Sequence, residues 1–135
     1  MTDPNVRLAT DLFAAWSSGD ADAPAQYMHD DAVLYDIVGG EHQGWPAIRA
    51  FFANGVKVWP DLVLAPEQFW TSDDGVALSW VMSATVTEAA APKFGTENVG
   101  KKWRSEGMTW LRIRDGKVAR EVDYHDSAAS INSLR

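Results

Sequence analysis

The sequence predicts an α+β fold in which a curved antiparallel β-sheet wraps around N-terminal helices and leaves its concave face as a pocket. Three observations carry that expectation. Apolar residues recur at helical spacing through the first half, at a period of two through the second, and turn residues join successive strand-like runs. Helices followed by strands, rather than strict alternation of the two, separate this class from a parallel α/β sheet.

Thr2-Asp3-Pro4 reads as a helix start, with Thr2 or Asp3 as the cap and Pro4 in the first turn. Val6, Leu8, Ala9, Leu12, Phe13 and Trp16 follow at helical spacing, and Ser17-Ser18-Gly19-Asp20 ends the segment. A short helix is expected over residues 23–28, a strand over 33–38, a turn at Gly39-Gly40, and a helix from about 46 to 56 opened by Pro46. Ile48, Phe51 and Phe52 form its apolar stripe. From Leu62 the period becomes two. Val76, Leu78, Trp80, Met82 and Ala84 share one face of a strand that follows the turn Ser72-Asp73-Asp74-Gly75, with Ser79, Ser83 and Thr85 on the other. Residues 91–102 read as a polar loop, and Asp115-Gly116 between two strand-like runs is a hairpin signal.

A chain of 135 residues suits one domain spanning 1–135, and 46% hydrophobic content with 7 Trp supplies a core or an apolar cavity. The formal charge of -7 argues against nucleic-acid or anionic-membrane partners. The chain has no cysteine, which excludes disulfides and thiolate chemistry. No basic segment followed by an apolar core opens the chain, and no apolar run approaches the roughly 20 residues of a membrane span. The expectation is a cytoplasmic protein.

Asp36 is the one acid inside the apolar run Val33, Leu34, Tyr35, Ile37, Val38. There it must face water, pair with a cation, or sit in a pocket that uses its charge. Later, Glu121, Asp123 and His125 share one strand face, and Val122, Tyr124 and Asp126 the other. Val118 and Val122 would mark the buried face, which puts Glu121, Asp123 and His125 in solvent. Asp126 before Ser-Ala-Ala reads as a helix cap. His29 in "MHDD" reads as a solvated loop residue, and His42 as a residue at the cavity mouth. No HxH or HxxxH spacing exists, so a metal site is not expected.

The stretch "DDAVLYDIVGGEHQGWPAIRAFFAN" resembles the segment of ketosteroid isomerases that carries the general-base aspartate, a V-G-x-E turn, a glycine and a helix. With "SGD" at residues 18–20 and "RIRDGKV" at 112–118, nearly the whole chain is similar to the cone-shaped α+β domains of the nuclear transport factor 2-like superfamily, including SnoaL-like polyketide cyclases and limonene-epoxide hydrolases. The resemblance puts Asp36 at the base position. The tyrosine and protonated aspartic acid of the isomerase oxyanion hole, a worked case of pKa tuning, fall on Leu12 and on or near Thr109, so steroid isomerisation is not expected. Cyclase and hydrolase relatives place an acid/base aspartate in segments similar to "VDYHD", where this chain offers Asp123 and Asp126. The strand aspartate of the epoxide-hydrolase set is missing from "GKKWRSEGMTW".

The resemblance reverses the reading of the last strand, turning Asp123 and His125 into the cavity. It implies a small enzyme without a cofactor. Asp36, its pKa raised by apolar neighbours, moves a proton next to a carbonyl of a hydrophobic substrate for isomerisation, cyclisation or elimination, and Asp123 or His125 supplies the acid. Trp16, Trp59, Trp80, Met82 and Trp103 are core or cavity wall. Tyr27, Trp80 Nε1–H and Ser105 are candidate donors to the enolate. A non-catalytic module that binds a small hydrophobic molecule is the alternative, epoxide hydrolysis a third reading, and a homodimer through the outer sheet face, with Trp110 outward, is the implied assembly.

Overall fold

Asp3 caps the first helix, α1 (Pro4–Trp16), by accepting a 2.7 Å hydrogen bond from the Asn5 amide, and Pro4 occupies the first turn. The computed structural model describes residues 3–135, so the expected role of Thr2 lies outside the described residues. Ala9, Leu12, Phe13 and Trp16 form the buried stripe of α1. The expected second helix is a 3-10 turn, Ala23–Tyr27, leading straight into β1 (Met28–Asp36). That strand begins earlier than the apolar run suggests, so His29 lies on a strand, half-buried against the Arg114 carbonyl, rather than on a solvated loop.

β2 (Gly40–Gln43), α2 (Trp45–Val58), β3 (Val63–Ser72) and β4 (Gly75–Thr85) follow. The segment read as a polar loop holds short helical turns and a four-residue helix, α3 (Ala91–Phe94). β5 (Lys102–Arg114) and β6 (Lys117–His125) form the expected hairpin, with both turn residues in the left-handed region, Asp115 at φ 51° and Gly116 at 77°. Asp126 caps α4 (Ser127–Asn132) through the Ala128 amide.

The strands form one sheet in the order β2-β1-β6-β5-β4-β3. Its curvature agrees with the expectation, but the sheet is mixed and open: β1 and β6 run parallel, and the other neighbours are antiparallel. Pairing the first strand with the last places Asp36 beside Asp123. Two apolar clusters fill the concave side. One joins α1, α2 and the sheet around Leu12, Phe13, Ile48 and Leu78; the other joins Val86, Phe94 and Trp103. Each fully buried large side chain contributes roughly 1.5–3 kcal/mol. No helix among the described residues is long and apolar enough to cross a membrane.

On β6 the apolar residues misdirect the face assignment, for two local reasons. Ala119 has no partner on β5, because Arg112 pairs with Arg120 and Ile113 with Val118. This bulge shifts the alternation, so Val118 joins the core on the same side as Glu121. Val122 lies on the convex face yet is buried, between Tyr35 and Trp110 on the flanking strands. Trp110 is half-buried there, with the Arg112 and Arg120 guanidinium groups each 6.0 Å from its ring.

Candidate functional site

The concave face holds a half-open cavity of about 410 Å³. Its walls are Phe13 and Trp16 from α1, Phe51, Phe52 and Val58 from α2, Trp59, Leu62 and Leu64 beyond it, and Trp80, Met82 and Trp103 from β4 and β5. One flank is polar. Asp36, Asp123 and Thr109 stand side by side on β1, β6 and β5, and Glu121 and His125 lie two residues either side of Asp123. Strand register therefore assembles four ionisable groups on an otherwise apolar wall.

Each group has a distinct environment. His125 Nε2 lies 3.1 and 3.2 Å from the two oxygens of Asp36, and Asp36 Oδ1 also accepts from the Val38 and Gly39 amides at 2.8 and 2.9 Å. Burial alone would push Asp36 up. The hydrogen bonds from His125, Gly39 and Val38, with the His125 charge, outweigh it and hold the carboxyl below its ordinary value. The same hydrogen bond raises His125 against its own burial, assisted by the charges of Asp36, Asp123 and Asp126. In this pair each partner favours the charged form of the other. Its Asp36 is thus acidified, opposite to the expectation from apolar neighbours alone, because the neighbours that count are an imidazole and two backbone amides.

Asp123 behaves differently. Burial raises it to about 6, against hydrogen bonds from Glu121 and Thr109, and the nearby Asp36 charge adds to the rise. Thr109 Oγ1 donates to Asp123 Oδ1 at 2.6 Å while accepting from Trp80 Nε1 at 2.9 Å, so the hydroxyl proton is directed at the carboxylate. Glu121 is 2% exposed, and burial followed by the Asp123 charge pushes it well above the usual carboxylate range. Glu121, whose protonated form is favoured there, accepts from Trp16 Nε1 at 3.2 Å and is hydrogen-bonded to Asp123. Two adjacent acids are thus both shifted upward by burial, and they titrate as a pair.

Of the residues singled out from sequence, Asp36, Asp123 and His125 meet on the cavity's polar flank, and Trp16, Trp59, Trp80, Met82 and Trp103 line it. Tyr27 and Ser105 do not. Tyr27 sits in the 3-10 turn, packed against the outside of the first core cluster, and the Ser105 hydroxyl is buried next to the Glu106 carbonyl. Trp80 Nε1 is committed to Thr109 and is not free to meet an enolate. His42 does not line the cavity; it stacks at 4.2 Å on Phe51, which does. Glu121 and Thr109 were missed as site residues. The period of two already places Glu121 on the face of Asp123, but Thr109 enters through cross-strand register, which no local pattern encodes.

Comparison with known proteins bears on the fold and the family. A family model described as the SnoaL-like domain matches residues 9–121. A comparison with curated protein sequences found no match. Among solved structures, the chain is similar to a candidate polyketide cyclase from Acidithiobacillus ferrooxidans, at 19% identity over 100% of this chain and 96% of that one, with a TM-score of 0.86. It is also similar to a protein of ketosteroid isomerase-like fold from Catenulispora acidiphila, solved with trimethylamine, at 16% identity over 94% and 91% of the two chains and a TM-score of 0.81. AclR, a candidate hydroxylase from Streptomyces galilaeus, matches at 24% identity over 96% and 94%, with a TM-score of 0.77. Identities this low establish a common fold, and the activities named for these proteins differ. The family model covers most of the chain, from α1 to Glu121 on the last strand, and on that ground the chain belongs to the SnoaL-like domain family.

Proposed function

We propose that the protein is a proton-transfer enzyme acting on a hydrophobic, enolisable carbonyl compound, with the acid and base supplied by its own side chains. Asp123 is the base. It accepts a proton from the carbon next to the carbonyl, and the C–H electron pair moves through the new C=C bond onto the carbonyl oxygen. His125, held cationic by Asp36, supplies the proton to that oxygen. Collapse of the enol then returns the proton at another carbon, attacks a second carbonyl, or expels a leaving group, giving isomerisation, cyclisation or elimination. Asp36, the base position in the sequence comparison, orients and charges the imidazole in this scheme.

The observation that carries the reading is a buried carboxyl raised to about 6 on the wall of an aromatic cavity. A base whose pKa lies near the working pH is the effective one, because it is both deprotonated and still basic. An apolar wall gives the substrate a site that excludes water and strengthens the charges around the developing enolate.

The test uses 2-acetylnaphthalene, a flat aryl ketone with exchangeable methyl protons, and follows deuterium incorporation in D₂O by NMR. Exchange is expected to rise with pH through about 6, as Asp123 ionises, and to fall again above the raised pKa of His125. Binding without exchange above the buffer rate would contradict the catalytic scheme and return the protein to the class of ligand-binding modules.

A further inference from the structure

The opening of the cavity lies where its lining meets solvent. Among the described residues that line it, Val38, Gly39 and Asn54 are exposed, and the others are buried or half-buried. Val38 and Gly39 form the turn between β1 and β2, and Asn54 is on α2, so the mouth lies between that turn and that helix. The turn side is pinned. Asp36 Oδ1 accepts from both turn amides at 2.8 and 2.9 Å, and Asp36 pairs with Gly40 across the turn.

From the helix side Phe51, half-buried, reaches this turn. A Cβ on Gly39 would collide with Phe51 Cε1 and lie 2.6 Å from Cζ. Backbone freedom does not account for a glycine at this position, because Gly39 lies outside the left-handed region that Gly40 and Gly44 occupy. What the glycine supplies is room for the ring. The His42 imidazole covers one face of the same ring, with 4.2 Å between centroids and 21° between planes, and its Nε2 is 3.1 Å from the Gly39 carbonyl oxygen. Gly39 thus meets the edge of the Phe51 ring and His42 its face. A side chain packed this closely does not yield to an added methyl group without moving. With its edge and one face occupied, the ring displaced by a Cβ moves towards the cavity that Phe51 lines.

We infer that Phe51 is a specificity-determining residue at the mouth of the cavity, and that Gly39 keeps its ring out of the path of the ligand, so that the space between them sets how large a fused-ring ketone the cavity admits. This rests on the cavity being the ligand site, as the proton-transfer reading requires, but it involves no catalytic step and is read from binding alone.

The experiment measures the affinities of acetophenone, with one ring, and 2-acetylphenanthrene, with three, for the full chain by calorimetry, and compares their ratio across variants. Gly39→Ala is expected to shift the ratio about tenfold against the larger ketone, the scale of one overpacked methyl group. Phe51→Ala is expected to shift it several-fold the other way. In the double variant the alanine at 39 has no ring to displace, so the ratio is expected to match that of Phe51→Ala alone. An unchanged ratio in folded Gly39→Ala, or an effect of that substitution that persists once the Phe51 ring is gone, overturns the assignment. Should Gly39→Ala not fold, a ratio in Phe51→Ala that does not move towards the larger ketone overturns it. Failure of either ketone to bind would overturn this assignment and the proton-transfer reading together. Absence of proton exchange with the ratios moving as expected would count against the catalytic scheme alone.

Discussion

Replacement of Asp123 by Asn is expected to slow deuterium exchange of 2-acetylnaphthalene by roughly 10²–10⁴-fold, the usual contribution of a positioned base, while binding of the ketone persists. The amide keeps the shape of the carboxyl and still accepts from Thr109, so the wall is preserved and only the basic site is lost. The same substitution is expected to stabilise the fold at pH 8. Asp123 has its folded pKa raised to about 6 from 3.8. Its contribution to stability is therefore fully present below 3.8 and is lost as pH rises through about 6, where the folded state must carry a buried anion. A displacement of that size is worth a few kcal/mol, and an amide removes the penalty. Thermal unfolding of both proteins at pH 5 and pH 8 reads this out. Gain in stability with loss of exchange is the expected combination, and a variant less stable than wild type at pH 8 would contradict the assignment of a strained buried charge.

Gly107→Ala is the second large effect. Gly107 sits on β5 directly opposite Trp80 on β4 and His125 on β6. A Cβ at this position would collide with the Trp80 six-membered ring and come within 2.7 Å of the Tyr124 carbonyl oxygen. The indole occupies the space beside the glycine, and its Nε1 donates to Thr109. Alanine forces the ring into the cavity, breaks the Trp80–Thr109 bond and frees the Thr109 hydroxyl to turn from Asp123. The expected cost is about 1–3 kcal/mol of overpacking, with ketone affinity and exchange rate falling together. Unchanged affinity in a folded Gly107→Ala protein would show that Trp80 has another resting place.

Much of the architecture is written locally. Asp3-Pro4, Pro46, Asp115-Gly116 and Asp126 each specify an element end by backbone chemistry, and each acts where expected. The period of two on β4 sets Trp80 and Met82 on the concave face, and that pattern needs no partner strand to be read. The parts that escaped are those decided between strands. The parallel pairing of β1 with β6 brings Asp36 to Asp123 across most of the chain length, and no short-range signal encodes it. The bulge at Ala119 and the cover of Val122 by Tyr35 and Trp110 made the convex face look like the buried one. Register also changed the role of Asp36: its own neighbours predict a desolvated base, whereas His125, 89 positions further along, makes it one half of an ion pair.

The upward shift of the two neighbouring acids, Glu121 and Asp123, is what the rest of the account stands on. Its most direct test is a pH titration of the side-chain carboxyl ¹³C resonances, with Glu121→Gln and Asp123→Asn used for assignment. One carboxyl of the Glu121–Asp123 pair is expected to ionise near pH 6 and the other to keep its proton through neutrality, while Asp36 is already ionised below its ordinary range. If both carboxyls of the pair have lost their protons by pH 5, the cavity does not hold a poised base and the proposed chemistry is contradicted.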